Sequence, residues 1–102
     1  MMYGLYGKLT AYEGKRDELA AVLLEAAQSM EAVDHCFLYV VNVSETEPDA
    51  VFIYEVWRDQ SAHQASLQLD SVKTLIQNGK PLIAGMERMS ILNPIGGKGL
   101  SK

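Results

Sequence analysis

Residues 36–57 read CFLYVVNVSETEPDAVFIYEVW, and the fold turns on how this stretch is divided. Cys36 to Ser44 is dense in β-branched and aromatic residues, and so is Ala50 to Trp57. Both are expected to be strands. Between them Glu45-Thr46-Glu47-Pro48-Asp49 is polar and contains a proline, which fits a connecting turn. No helix fits in so short a link, so the two strands are expected to pair as a hairpin.

Working outward, Met2 to Tyr12 reads as a first strand and Glu13-Gly14-Lys15 as its turn. From Asp17 the apolar period changes. Leu19, Val22, Leu23, Ala26, Ala27 and Met30 form one helical stripe, with Asp17 and Glu18 suited to the positive end of the helix dipole. After Trp57, Asp59 or Ser61 can cap a helix, and Asp70 or Ser71 can start a further stretch that Asn78-Gly79 stops. Pro81 and Gly85 interrupt the chain before a last strand from Met86 to Leu92. The order β-α-β-β-α-β predicts an α+β, ferredoxin-like protomer with one antiparallel sheet under one layer of helices. Residues 1–93 form the expected domain, and 94–102 a Gly-rich tail or arm that is loose or crosses to another subunit.

Strand alternation sets Cys36, Leu38 and Val40 against Phe37, Tyr39, Val41 and Val43, and Val51, Ile53 and Trp57 against Phe52, Tyr54 and Val56. Both faces are apolar, yet one helical layer covers only one of them. A second copy packed sheet to sheet would cover the other, so a homodimer is expected.

The net charge of −4 and the absence of a Lys/Arg cluster give no footprint for nucleic acid and argue against anionic membrane surfaces. The longest apolar run, Cys36 to Val41, falls far short of the ~20 residues of a membrane span. No signal-peptide pattern stands at the N-terminus, and the lone cysteine suits a reducing compartment, so the expected location is the cytoplasm.

Chemistry-bearing residues gather around Trp57. Glu55 shares a strand face with Ile53 and Trp57, where a carboxylate must be paired or stand at a wet rim. It either pairs with Arg58 or Arg88, or carries a raised pKa and serves as a general base. His35 and His63 are the only histidines, hence the only side chains that titrate near neutrality without perturbation. His63 is expected at the surface of the helix, and His35 at a strand end that can rim a cavity. Their spacing with the single cysteine matches no metal-ligand pattern. Cys36 reads as a buried structural thiol, because adjacent strand residues point apart and keep it from His35. Tyr39 and Tyr54 either pack as ordinary strand residues or reach a cavity; Tyr3 and Tyr12 are expected to pack.

The stretch YEVWRDQSAHQASL, with HCFLYVVN upstream and PDAVFIYEVW leading in, resembles the antibiotic biosynthesis monooxygenase family. The resemblance rests on Glu55 and Trp57 at a strand end, Asp59 as an acidic cap and Ala62 on the short helix, and extends to Pro81–Met86 and Gly96–Leu100. It implies a dimeric α+β barrel of ferredoxin-like protomers. It also implies oxygenation of a small aromatic or quinol-like compound by dioxygen with no cofactor, neither metal, haem nor flavin. The implied pocket lies between helices and sheet, lined by Trp57, Tyr39, Tyr54, Leu23 and Phe52, with Glu55, His35 or His63 supplying the proton chemistry. The sequence departs from the family pattern where Ser66 and Ser71 stand at positions many members fill with histidine, and where Asp34-His35-Cys36 replaces Pro-Gly-Cys. The Asn–Trp–His set of a haem-degrading branch is missing. The alternative is a non-catalytic dimeric module of the same fold that binds or shields a small apolar molecule.

Overall fold

The computed structural model describes residues 1–100 of the chain. Four strands, β1 (Tyr3–Ala11), β2 (Cys36–Val43), β3 (Ala50–Trp57) and β4 (Ile83–Leu92), form one sheet in the order β2-β3-β1-β4. Every neighbouring pair is antiparallel. Three helices, α1 (Arg16–Ser29), α2 (Gln60–Ser66) and α3 (Asp70–Gly79), complete the βαββαβ order expected from the sequence. Gly14, at φ 78°, makes the turn into α1, a conformation only glycine adopts without strain. Asp59 caps α2: its Oδ1 accepts the Ala62 N–H at 2.8 Å.

The helical stripe faces the sheet, but only its ends are fully buried, at Leu19 and Met30. Two apolar clusters explain this. Leu9, Ala11, Leu19, Val51 and Ile53 pack at one end of the helix–sheet interface, and Met30, Trp57 and Ala62 at the other, with Tyr39 against both. Between them the middle of the stripe looks onto open space rather than onto the sheet.

Three bulges adjust the strand phases and correct the expected ones. In β2 Cys36 pairs with Trp57 while Leu38 pairs with Val56, so Phe37 is the extra residue. Cys36 therefore joins the helix-facing cluster with Tyr39, instead of facing away with Leu38. β4 starts at Ile83 rather than Met86, because Ala11 and Thr10 pair with Ile83 and Gly85 across a register shift. A further shift sets Tyr6 against Ser90 and Gly7 against Arg88, leaving Met89 unpaired. On the outer face, away from the helices, Tyr6 stacks on Phe52 at 6.2 Å and the Lys8 ammonium lies 5.8 Å from the Phe52 centroid. Asn93 ties the start of the tail to β1 by donating to the Met2 carbonyl at 3.0 Å.

Candidate functional site

The space between the clusters is a cavity of about 580 Å³. Its floor is the helix-facing side of the sheet, including Leu5, Gly7, Tyr39, Ile53, Glu55 and Trp57, and its roof is the stripe Val22, Leu23, Ala26 and Met30. His63 and Ser66 of α2 close one side, and Arg88 of β4 stands at the exposed rim. A second, shallower hollow of about 460 Å³ lies where the end of α1 meets β2. It holds neither Glu55 nor either histidine, so the chemistry belongs to the first.

The Glu-x-Trp spacing has a direct physical result. Residues two apart on a strand share a face, and the Trp57 indole donates its Nε1–H to Glu55 Oε1 at 2.9 Å. Trp57 is 1% exposed and fixes the carboxyl in place. His63 Nε2 lies 3.9 Å from the same Oε1. The imidazole stands edge-on to the Trp57 ring at 5.5 Å and is tilted against Tyr3 at 5.9 Å. Burial pushes the Glu55 carboxyl above its ordinary pKa, opposed by the Trp57 hydrogen bond and the Arg88 charge. Burial, reinforced by Arg88, holds His63 below its ordinary value. Both shifts favour the uncharged forms. Desolvation together with Glu55 raises the phenol of Tyr39, and the same two causes push the Cys36 thiol up to about 11.

Of the residues singled out in the sequence, Glu55, His63, Trp57, Tyr39 and Leu23 converge on the cavity. Phe52 and Tyr54 do not. They alternate with Ile53 and Glu55 on β3, and the Phe52–Tyr6 stack marks their side as the outer one. His35 is also elsewhere: it is exposed, with both ring nitrogens 3.1–3.2 Å from Arg58 Nη1. His63 is the reverse case, inside rather than at the surface, with a side chain 12% exposed. The Asp59 cap turns the first turn of α2 down onto Trp57 and carries His63 with it. Arg58 pairs with Asp59, which leaves Arg88 as the cation that acts on Glu55.

Sequence reasoning named Arg88 as a partner for Glu55, and missed that Tyr3 packs against His63. Tyr3 was legible in principle, being in register with Trp57 across β1 and β3. Arg88 faces the cavity because it pairs with Gly7, as Met86 pairs with Leu9, on the helix-facing side of β1. Ser66, where a histidine is common in the resembling family, is buried beside the cavity and donates to the His63 carbonyl at 2.6 Å. Among the described residues no group of three or more His, Cys, Asp or Glu gathers that could hold a metal ion.

A family model described as antibiotic biosynthesis monooxygenase matches residues 2–78. A structure from Chloroflexus aurantiacus, described as a candidate antibiotic biosynthesis monooxygenase, superposes with a TM-score of 0.89 at 45% identity, covering 98% of this chain and 99% of that one. A second such protein, from Deinococcus radiodurans, is 26% identical with a TM-score of 0.76, covering 96% of this chain and 94% of that one. At 12% identity a Nitrosomonas europaea structure still reaches 0.85, over 92% of this chain and 90% of that one, a likeness of fold alone. Comparison with curated proteins finds no match.

Proposed function

The chain belongs to the antibiotic biosynthesis monooxygenase family, and from that premise we propose that it is a monooxygenase acting on a small hydroxyaromatic or quinol-like compound held in the cavity between helices and sheet. One observation carries the reading: a carboxyl and an imidazole, Glu55 and His63, meet at the wall of an otherwise largely apolar cavity, where burial favours the uncharged form of each. A base with a pKa near the working pH transfers protons best, and burial raises the Glu55 carboxyl toward that range, while the lowered pKa of His63 leaves its ring neutral and able to accept a proton.

In this reading the apolar roof and the Trp57 ring bind the flat ligand, and the Glu55–His63 pair removes the hydroxyl proton. The resulting anion is electron-rich enough to reduce dioxygen, and Arg88 at the rim steadies its charge. At a ring CH₂ activated in this way, one C–H bond is replaced by a bond to oxygen. The hydroperoxide formed loses water to leave a carbonyl. One oxygen atom enters the product and the other leaves in water, with the electrons coming from the substrate. Pairing through the outer sheet face into a homodimer belongs to the same proposal, supported by Tyr6, Phe52, Tyr54 and the 39% exposed Val40 on that side. So does a cytoplasmic location; no helix among the described residues is long and apolar enough to cross a membrane.

The non-catalytic binding module is favoured by Ser66, a hydroxyl that cannot serve as a base standing where many relatives carry histidine. Dioxygen uptake by purified protein against a panel of quinols and anthrone-type phenols separates the two. Boiled protein and Glu55→Gln serve as controls. Uptake above both controls, with an oxygenated product by mass spectrometry, supports the enzyme. Ligand-induced thermal shifts with no uptake across the panel would leave the binding module.

A further inference from the structure

The mouth of the cavity carries a positive charge that no neighbouring side chain neutralises. It opens beside β4, where Ile76, Met86 and Arg88 line it and are exposed. Pairing with Gly7 turns Arg88 to this side of the sheet. Among the described residues neither its guanidinium nor the ammonium of Lys80, also on the cavity lining, makes an ion pair or a side-chain hydrogen bond. The two carboxyl groups of the lining do not answer that charge. Glu87 acts on Lys8, which lies on the outer face and is paired with Glu47. Glu55 stands inside, where burial favours its uncharged form. The chain as a whole is acidic, at −4, so a cationic mouth runs against its overall balance. The field of Arg88 also reaches inward, since its charge acts on both Glu55 and His63.

We propose that the ligand of this cavity is an acidic hydroxyaromatic: a flat ring with its hydroxyl inward at Glu55 and His63 and its carboxylate at the mouth on Arg88. This deepens the reading of the cavity as a hydroxyaromatic site and rests on it. A guanidinium presents a planar fork of N–H donors that matches the two oxygens of a carboxylate, and such a pair is stronger than a neutral hydrogen bond. At an exposed rim both charges keep part of their water, so the desolvation that weighs against buried pairs is small. Ile76 and Met86, apolar and exposed beside it, cover the outer edge of the ring. Arg88 is then a specificity-determining residue. It selects an anionic substituent at the far end of the ring and, by holding that end, decides which hydroxyl meets the inner wall.

The test is isothermal titration with 6-hydroxy-2-naphthoate, its methyl ester and 2-naphthol, which share one ring and one hydroxyl. Wild type should bind the acid about tenfold more tightly than the ester at low ionic strength. Added salt should shrink that preference. Arg88→Gln should bring the two affinities together, and Arg88→Glu should invert their order. Lys73→Gln removes the same charge from an exposed position of α3 outside the cavity lining, and should keep the wild-type preference. Acid and ester bound alike by wild type, a preference that survives Arg88→Gln, or an equal loss in Lys73→Gln overturns the proposal. Naphthol reports on the cavity reading by itself. If none of the three compounds binds, that reading fails and this one with it; naphthol bound with no preference for the acid sinks this one alone.

Discussion

Glu55 Oε1 is shared by an indole N–H and the edge of an imidazole, and both consequences can be measured. Trp57→Phe keeps most of the ring but removes the donor, so a largely buried acceptor loses its partner. The expected loss is about 1–3 kcal/mol in urea unfolding at pH 7. Glu55→Gln keeps the acceptor and removes the titration. The folded-state pKa of Glu55 is raised, so the folded protein holds its proton more tightly than the unfolded chain does. Stability from that proton is fully present below the unfolded value of 4.5 and is lost as pH rises through the folded value. The melting temperature of Glu55→Gln should therefore exceed wild type at pH 8, and the difference should shrink as pH falls toward 4. A constant difference across that range would contradict it. His63 runs the other way: its stability contribution is present above 6.5 and fades as pH drops through its lowered folded value. Much of this was legible in the sequence, because two-residue spacing on a strand dictates that Glu55 and Trp57 share a face. The same alternation excludes Phe52 and Tyr54 from the cavity. His63 was harder, since its inward aim depends on which residue caps a seven-residue helix.

At the scale of elements, the cavity exists because the middle of the α1 stripe faces a thin place in β1. Gly7 lies in the floor between Leu5 and Leu9, and a Cβ built there meets only the Glu87 carbonyl oxygen, at an ordinary 3.5 Å. Its backbone φ is not positive, so larger residues fit the strand. Gly7→Leu should fold with a melting temperature close to wild type while lowering naphthol affinity at least tenfold, as isothermal titration would register. A variant that binds as well as wild type would place the ligand elsewhere. The order of elements and the single helical layer follow from hydrophobic period and turn residues, which the chain spells out. Bulges are another matter. Phe37 and Met89 look like regular strand residues, and their displacement is decided by how neighbouring strands come into register. That is why Cys36 faces the helices with Tyr39 against the expected alternation.

For the whole molecule, the outer sheet face is the element that one helical layer leaves uncovered. A symmetric pair packed there should sediment at twice the 11.3 kDa chain mass. Phe52→Asp, which puts a charge beside Tyr6 in the middle of that face, should shift the species to monomer while far-ultraviolet circular dichroism keeps the same fold. A wild type that stays monomeric at micromolar concentration would remove the second copy from the account. The chain's single tryptophan, finally, makes the site its own optical probe. Trp57 donates to Glu55 and lies 5.5 Å from the His63 ring centroid, so its emission is coupled to the two groups that titrate in the cavity. Protonated imidazole quenches indole by accepting an electron from its excited state. Fluorescence should fall on acidification with a midpoint below 6.5, and a ligand stacked on the ring should change it without any label. Screening for what occupies the cavity then requires only a cuvette and a library of phenols.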